Sequence, residues 1–228
     1  MEQAVILAAG MGTRMRPLTY ECPKPMINVA GKPLLEHNLD AVHGFVDEII
    51  VVVGYKGEMI KKYFKGKFKG IKMGYVEQKE QMGNGHALLC AENKIKDKFI
   101  VIQGDDFITK DVIKKALNHD LCVVAKEVTN PKRFGILEVK NNSIIGFEEK
   151  PKNPKSNLAN IGVWHMDKKL VELMKLQKKS KRGEYELTDA LKALIKKERV
   201  YCEIIEEGWI PVGYPEDLRK IESFLRGK

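Results

Sequence analysis

The sequence predicts an α/β protein with a Rossmann-like mixed, mostly parallel sheet flanked by helices. Three observations lead to this fold class. Short apolar runs rich in Val and Ile recur through the first half of the chain, and stretches with helical apolar spacing separate them. Such alternation is typical of parallel strands joined by right-handed helical crossovers. In the second half the strand-like runs follow one another directly, which predicts a β-rich insertion in the same sheet.

The elements of the first half are expected to alternate between strand and helix. The predicted strands are AVILAA (4–9), EIIVVV (48–53), KMGYVE (72–77), KFIVIQ (98–103) and LCVVAKE (121–127). The predicted helices are 33–45, 58–64 and 86–95. Pro33 suits the first turn of its helix, where a missing N–H leaves no bond unmade.

The second half is expected to begin with a hairpin and to end in a helix. In order, the predictions are two strands within 134–151 around Asn141-Asn142, a strand at 160–166, helices near 168–178 and 187–197, a strand pair within 200–212, and a helix from Pro215. With 228 residues, 43% of them hydrophobic, the chain can bury a sizeable core, so we expect residues 1–228 to form one domain.

Composition and charge narrow the function classes. The net charge is +9, but 31 acidic residues accompany the 40 basic ones, and the densest basic runs (61–70 and 175–183) follow helix-like segments. This favours solvated surface over a nucleic-acid interface. No apolar run approaches the ~20 residues of a membrane span, and the N-terminus lacks the basic region of a signal peptide. The four cysteines form no CxxC pair, which indicates reduced thiols and excludes a zinc site built from sequence-adjacent cysteines. We expect a cytoplasmic protein with no nucleic-acid or membrane partner.

The stretch LAAGMGTRMRP (7–17) combines small residues with cationic charge directly after the first predicted strand. Gly10 and Gly12 allow backbone N–H groups to approach a ligand closely and to form an anion-binding concavity. Arg14 can pair with phosphate oxygens, and Thr13 can add a hydroxyl donor. These features predict phosphate binding.

A lysine held between two prolines strengthens this prediction. In CPKPM (22–26), Lys24 loses less freedom on binding a phosphate than a mobile lysine would. Two familiar phosphate loops are excluded: GxxxxGK[ST] is absent, and Met15 stands where a dinucleotide fingerprint needs its third glycine. We therefore expect triphosphate binding rather than an NAD site.

LAAGMGTRMRPLT…PKPM resembles the signature of the sugar-1-phosphate nucleotidyltransferases, also called nucleoside-diphosphate-sugar pyrophosphorylases. VEQKEQMGNGHAL (76–88) is similar to their base-recognition loop, above all to that of the N-acetylglucosamine-1-phosphate uridylyltransferases. VIQGDDF (101–107) resembles their strand-end aspartate motif, and FGILE, GFEEKP, NIGVW and GEYELTDAL resemble further segments. The left-handed β-helix that many relatives carry is not expected here.

The resemblance implies which residues bind the nucleotide. They are Leu7, Ala8, Ala9 and Gly10 along the base and ribose, Gly12, Thr13 and Arg14 around the phosphates, and Gln78, Gly83 and Asn84 at the edge of a pyrimidine. It also places Lys24 near the transferring α-phosphate. Arg14, Lys24 and Asp105 are thus the candidate catalytic residues.

Asp105 is the candidate metal ligand. A carboxylate just past an apolar strand can hold Mg²⁺ through one or two oxygens, while substrate phosphates supply the other ligands. The alternative is that Asp105 caps the helical segment after Thr109. By resemblance the acceptor is held by Gly135, Glu149, Lys150 and Asn160, with Glu149 and Asn160 on sugar hydroxyls and Lys150 on the phosphate.

These roles imply Mg²⁺-dependent transfer of a nucleotidyl group to a sugar 1-phosphate. The second pKa of an acceptor phosphate is about 6, so the phosphate is mostly a dianion at neutral pH and needs no general base. UTP is the favoured donor, with dTTP or CTP behind it, and a hexose or N-acetylhexosamine phosphate is the favoured acceptor. The alternatives are a cytidylyltransferase for inositol phosphate or phosphocholine, and a nucleotide-sensing protein without turnover. The family also suggests a homo-oligomer.

One segment departs from the family pattern. Relatives often carry a second metal-binding Asp or Asn in a stretch like W-x-D-x-G-T-P, whereas this chain has WIPVGYP (209–215), with Pro211 at the acidic position and Tyr214 in place of Thr. Proline cannot bind a metal. Glu216 and Asp217 are poor substitutes, because both are expected in the first turn of the last helix.

Overall fold

The computed structural model describes residues 2–180 and 182–227, and in these residues a ten-stranded mixed sheet forms the centre of the fold. The strands are β1 (Gln3–Ala8), β2 (Asn28–Val29), β3 (Lys32–Pro33), β4 (Glu48–Val53), β5 (Lys67–Phe68), β6 (Ile71–Glu77), β7 (Lys98–Gln103), β8 (Phe107–Ile108), β9 (Cys122–Glu127), β10 (Gly135–Lys140), β11 (Ser143–Glu149), β12 (Leu158–Asp167), β13 (Tyr201–Ile205) and β14 (Trp209–Ile210). The helices are α1 (Leu18–Glu21), α2 (Leu34–Val42), α3 (Gly57–Phe64), α4 (Asn84–Cys90), α5 (Lys110–Ala116), α6 (Lys168–Lys175), α7 (Leu187–Leu194) and α8 (Leu218–Arg226). Single 3-10 turns lie at Thr13–Met15, Lys24–Met26, Glu92–Lys94, Pro131–Arg133 and Pro215–Asp217.

The order of the large sheet is β10-β11-β13-β9-β12-β7-β1-β4-β6-β5. Strand β1 lies parallel between β4 and β7, and β6 continues the parallel block beyond β4. Strand β12 runs antiparallel to both β7 and β9 and so joins this block to the second half of the sheet. Since β1, β4, β6 and β7 point the same way, the loops that follow them meet at one edge.

Apolar side chains cover both faces of the sheet. Along β1, Val5 and Leu7 face a core shared with α4, α6 and α7, whereas Ala4, Ile6 and Ala8 face the core under α2, α3 and α5. This period of two, repeated on β4 and β7, explains why the central strands read as continuous apolar runs. A third cluster, which includes Met15 and Phe107, packs α8 beneath the loop after β1.

The predicted mixed sheet flanked by helices is confirmed, with one wrong pairing. The two strands expected within 200–212 do not pair with each other. Strand β13 enters the large sheet parallel to β9, and β14 forms a separate two-stranded sheet with β8. Gly208, at a φ of 91°, lies in the short bend between them, and their closeness in sequence did not indicate their partners. In the described part of the chain, no helix is both long and apolar enough to cross a membrane.

Candidate active site

Two adjoining chambers of about 450 Å³ each open at the edge where the parallel strands end. The first chamber is lined by the loop after β1, by Lys24 and by the segment after β6; the second is lined by the β10–β11 hairpin, by β12 and by the segment around Pro211. Four residues border both chambers: Asn84, Gln103, Asp105 and Glu184. Asp105 therefore lies where a ligand of one chamber would meet a ligand of the other.

Every candidate residue from the sequence lines one of these chambers. The first contains Leu7, Ala8, Ala9, Gly10, Gly12, Thr13, Lys24, Gln78, Gly83, Asn84 and Asp105, and the second contains Arg14, Gly135, Glu149, Lys150 and Asn160 together with Asn84 and Asp105. Arg14 faces the second chamber although its neighbours Gly12 and Thr13 face the first. The loop after β1 that contains Gly10 and Gly12, called here the glycine loop, thus passes from one chamber to the other between Gly12 and Arg14.

The glycine loop is shaped by Gly12. Its φ of 61° lies in the left-handed region, and a Cβ built there would come 2.9 Å from Lys24 Cβ and 3.0 Å from Thr19 Cγ2. Its carbonyl accepts hydrogen bonds from the Met15 amide (2.9 Å) and the Thr19 hydroxyl (3.0 Å). Close approach of Lys24 to this loop therefore requires glycine. At Gly10, by contrast, a Cβ would point into open space, which leaves the backbone accessible to a ligand.

Lys24 and two aspartates form the charged centre of the site. The Lys24 side chain is only 6% exposed, and its Nζ lies 2.9 Å from Asp105 Oδ2 and 4.0 Å from Asp106 Oδ1. Pro23 precedes it in extended geometry and Pro25 follows it inside the 3-10 turn, so the backbone that carries the ammonium group is held on both sides. Asp105 is bound to Lys24 and does not cap α5, which begins after Thr109.

The two adjacent carboxylates have opposite environments. Burial acts to raise the pKa of Asp105, but the Lys24 ammonium and the Arg14 charge outweigh it and hold that pKa below its ordinary value. Burial and the neighbouring charge of Asp105 raise the pKa of Asp106 to about 6. Asp106 Oδ1 accepts from the Val212 amide (2.9 Å) and Oδ2 accepts from Trp209 Nε1 (3.1 Å). Asp106 is therefore committed to holding the segment that contains Pro211.

The donor set at Asp105 fits Mg²⁺ bound together with substrate phosphates. The Asp105 side chain is 46% exposed, borders both chambers and keeps a low pKa, so it is ionised and accessible. In residues 2–180 and 182–227, no group of three or more His, Cys, Asp or Glu side chains could hold a metal. One accessible carboxylate completed by phosphates and water is a common arrangement for Mg²⁺.

The segment after β6 fixes the orientation of the Gln78 amide. Gln78 Nε2 lies 2.9 Å from the Gly83 carbonyl and 3.1 Å from His86 Nδ1. Because a carbonyl only accepts, the group beside Gly83 O must be the NH₂, and Oε1 is the part left to accept from a base. A side-chain amide can donate and accept at once, but here the NH₂ group is engaged within the protein and the acceptor oxygen is the half left for a ligand.

Asn84 joins this segment to α7. Its Oδ1 accepts from the Leu187 amide (2.9 Å) at the first residue of α7, while the Gly85 amide donates to Tyr185 O and the Tyr185 amide donates to Met82 O (2.8 Å each). The chain around Tyr185 therefore closes one side of the first chamber. Asn84 borders both chambers and also has a clear structural role.

The β10–β11 hairpin and β12 supply the polar wall of the second chamber. Gly135 pairs with Glu149 in register. A Cβ at Gly135 would lie 2.3 Å from Phe147 Cζ and 2.9 Å from Glu149 Oε2, so glycine leaves room for the side chains of Phe147 and Glu149. Burial raises the pKa of Glu149. Lys150 Nζ is 3.8 Å from Glu149 Oε1 and remains half exposed.

Asn160 presents a hydrogen-bond donor to the second chamber. Its Oδ1 accepts from Trp164 Nε1 (2.7 Å) and from the Gly162 amide (3.0 Å). Both partners are donors, so the oxygen is engaged and the NH₂ group is the part available to a ligand. Thr188, which borders the same chamber, is 4% exposed, and its Oγ1 is the one buried side-chain polar atom without a partner in the described residues. A hydroxyl-bearing ligand would satisfy both groups.

Several lining residues were not assigned from the sequence. They are Gln103, Arg133, Arg182, Glu184, Thr188 and Trp209. Gln103 ends β7, and Glu184 and Thr188 lie within GEYELTDAL, so proximity to recognised stretches could have indicated these three. Arg182 is bound to Glu186, with Nη2 2.7 Å from Oε1. No pattern in the sequence pointed to Arg133.

This fold and this pair of chambers define a Rossmann-like α/β protein with room for two ligands on either side of one carboxylate. The family model described as nucleotidyl transferase matches residues 3–228. The bifunctional protein GlmU of Methanocaldococcus jannaschii is 45% identical over 226 residues, which cover 99% of this chain and 54% of that protein. The UTP–glucose-1-phosphate uridylyltransferase AglF of Haloferax volcanii is 36% identical over 234 residues, which cover 98% of this chain and 96% of AglF.

A solved structure agrees with these relatives. A protein assigned as a glucose-1-phosphate thymidylyltransferase from Bacillus anthracis, in complex with a sucrose, superposes with a TM-score of 0.88 at 26% identity, covering 100% of this chain and 96% of that one. The chain belongs to the nucleotidyl transferase family, and the resemblance to the sugar-1-phosphate nucleotidyltransferases is confirmed. It spans about half the length of the GlmU proteins that it matches.

Proposed function

We propose that this protein transfers a nucleotidyl group from UTP or dTTP to a sugar 1-phosphate, with Mg²⁺, and releases pyrophosphate. The observation that carries the proposal is the position of Asp105 at the boundary between the two chambers, with Lys24 bound to it from the first chamber. One chamber has the glycine loop expected for a nucleotide, and the other has the polar wall expected for a sugar. Any reaction between the two ligands would take place beside this ion pair.

In this reaction an oxygen of the acceptor phosphate attacks the α-phosphorus of the nucleotide, and the bond to the β-phosphate oxygen breaks. The acceptor is already anionic, so the residues need to position and neutralise rather than remove a proton. Lys24 is pre-oriented between two prolines and Asp105, and Arg14 adds a second cation close by. Bound Mg²⁺, held by Asp105 and the phosphates, would supply Lewis-acid stabilisation of the charge on the transferring phosphoryl group.

The polar groups of the second chamber support a sugar as the acceptor. The free NH₂ of Asn160, the unpartnered hydroxyl of Thr188 and the Glu149 carboxyl are hydrogen-bonding partners for hydroxyl groups. A quaternary ammonium would need an open aromatic cage. Phe134 and Trp209 border this chamber, but they pack edge to face on each other with centroids 5.6 Å apart. Phosphocholine is therefore the weaker candidate.

Support for a uracil or thymine nucleotide comes from the base loop and from relatives. Gln78 Oε1 is the acceptor that an N3–H of uracil or thymine could reach. AglF is named for UTP and a Streptomyces griseus relative, 33% identical, for thymidylyl transfer. Both names include glucose 1-phosphate, which makes it the first acceptor to test beside N-acetylglucosamine 1-phosphate.

A pyrophosphate-release assay with Mg²⁺ tests this function. UTP, dTTP, CTP, ATP and GTP are each combined with glucose 1-phosphate, N-acetylglucosamine 1-phosphate, mannose 1-phosphate, inositol phosphate and phosphocholine. We expect turnover with UTP or dTTP and a sugar phosphate, and a loss on the order of 10²–10³ in Asp105→Ala. Asp97→Ala, at an exposed carboxylate outside both chambers, is the matched control.

Three other results would contradict the proposal. Turnover with CTP and a non-sugar phosphate would establish the cytidylyltransferase alternative. Binding of UTP without turnover across the whole grid would establish a nucleotide-sensing protein. Equal loss in Asp105→Ala and Asp97→Ala would remove Asp105 from the reaction.

A further inference from the structure

Two guanidinium groups converge on one point of the second chamber. A Cβ built on Gly213 would lie 3.8 Å from Arg14 Nη1 and 3.8 Å from Arg133 Nη2. Asp217 Oδ2 lies 3.7 Å from the same point, but this carboxylate is engaged by two backbone amides and by Lys220. The guanidinium carbons of both arginines are 5.9 Å from the centre of the Tyr214 ring. Arg14 comes from the loop after β1 and Arg133 from the turn before β10, so two distant parts of the chain bring like charges together.

Neither of these arginines forms a direct ion pair with a carboxylate in the described residues, although the Arg14 charge helps to lower the pKa of Asp105. Arg182, on the same chamber, pairs with Glu186 at 2.7 Å, and Lys24 pairs with Asp105 at 2.9 Å. For Arg14 and Arg133 the contact that the structure shows is the face of Tyr214. Two guanidinium charges placed this close, with no direct ion pair to either in the described residues, favour a bound anion. The planar fork of guanidinium donors matches the oxygens of a phosphate or a carboxylate, and phosphate is the anion that the proposed reaction brings to both chambers.

The segment under this pair is held firmly in place. Asp217 Oδ2 accepts from the amides of Gly213 (2.9 Å) and Tyr214 (3.0 Å). At the other end of the segment, Asp106 accepts from the Val212 amide and the Trp209 indole. The backbone that carries Tyr214 is therefore held by hydrogen bonds at both ends of the segment.

We propose that Arg133 acts with Arg14 to bind one phosphate group at the junction of the two chambers. This inference rests on the proposed function, which brings phosphates to both chambers. The group is either the β/γ end of the nucleotide, which leaves as pyrophosphate, or the phosphate of the acceptor; both offer the same anionic oxygens. Pro211 offers no ligand for a cation, and Arg133 supplies positive charge in the same chamber.

Isothermal titration calorimetry in Mg²⁺-free buffer at constant ionic strength tests the pair directly. Inorganic pyrophosphate and glucose 1-phosphate are titrated separately into the wild type, Arg133→Gln, Arg133→Lys and Lys132→Gln. Lys132 is the matched control, because it is an exposed cation on the same turn that borders neither chamber. Thermal unfolding followed by circular dichroism confirms that each variant is folded.

We expect Arg133→Gln to weaken the binding of one of the two ligands by about ten- to hundredfold, with Arg133→Lys in between and Lys132→Gln within about twofold of the wild type. If pyrophosphate binding changes, kcat should fall and the KM of the sugar phosphate should stay nearly constant. If glucose 1-phosphate binding changes, that KM should rise instead. Either result identifies the phosphate.

If Arg133→Gln binds both ligands as tightly as the wild type, and the enzyme turns over, this inference is overturned while the proposed function stands. An equal loss of affinity in Lys132→Gln would also overturn it, because the effect would then come from the overall positive charge of the surface and not from a contact with the ligand. A wild type that binds neither UTP nor either phosphate ligand would overturn the proposed function, and this inference with it.

Discussion

Replacing Lys24 by Met tests the centre of the proposed mechanism. Methionine is similar in length and apolar, so it can occupy the buried space of a side chain that is only 6% exposed. The substitution removes the ammonium group that lies 2.9 Å from Asp105 and 4.0 Å from Asp106. The two adjacent carboxylates then lose the positive charge that offsets their repulsion. Removing one partner of a fully buried ion pair costs about 3–5 kcal/mol. Because Asp105 is 46% exposed, we expect a smaller loss of about 1–3 kcal/mol in the free energy of unfolding.

The effect on catalysis should be larger than the effect on stability. We expect kcat for pyrophosphate release to fall on the order of 10²–10³, because Lys24 would no longer neutralise the transferring phosphoryl group. Urea unfolding and initial rates are measured on the same preparations. Lys32→Met is the control, since Lys32 also pairs with a half-buried carboxylate, Asp40, but lies outside both chambers. A Lys24→Met enzyme with more than a third of the wild-type rate would refute the assignment of Lys24.

Three further outcomes follow from the geometry. Asn160→Asp keeps an oxygen for the two donors beside it but loses the NH₂ group, so the KM of the sugar phosphate should rise about tenfold while Tm changes little, as kinetics and thermal melts would show. Gly12→Ala places a Cβ 2.9 Å from Lys24 Cβ at a φ of 61°, so urea unfolding should show a loss of about 1–2 kcal/mol from the left-handed backbone, with further loss from the contact. Burial opposes ionisation of Asp217, but Lys220 and two backbone amides lower its pKa below the ordinary value. Its stabilising contribution is therefore present above the unfolded-state pKa of about 3.8 and is lost as pH falls through the lower folded-state pKa, so the difference in unfolding free energy between wild type and Asp217→Asn should disappear in acid.

The strand ends were the most predictable part of the site. Apolar runs fix β1, β6 and β7 within one residue of their observed bounds, and parallel strands bring the loops after them to one edge. The position of Asp105 follows from that rule, whereas Gln78 was assigned only through the resemblance of residues 76–88 to a base-recognition loop. Gly10 and Gly12 were predicted to let the backbone approach a ligand, but the packing of Gly12 against Lys24 was not predicted.

Long-range side-chain partners could not be predicted. Whether the Gln78 amide offers its donor or its acceptor depends on Gly83 and His86, and those contacts exist only once the loop has closed. In the same way, β13 and β14 read as one pair, but their partners β9 and β8 come from much earlier in the chain. Local pattern determines that such segments are strands, whereas packing elsewhere determines which strand each one meets.

At Pro211 the position of the backbone and the chemistry of the side chain have to be considered separately. Asp106 and Asp217 hold the backbone on either side of Pro211 by hydrogen bonds to Trp209, Val212, Gly213 and Tyr214. The segment therefore keeps its place against the second chamber although proline offers no ligand. In the same chamber Arg14 and Arg133 lie close together, and neither forms a direct ion pair with a carboxylate in the described residues. Guanidinium groups in this position would bind phosphate through the protein in addition to the metal, and this is the contribution that the Arg133 variants measure.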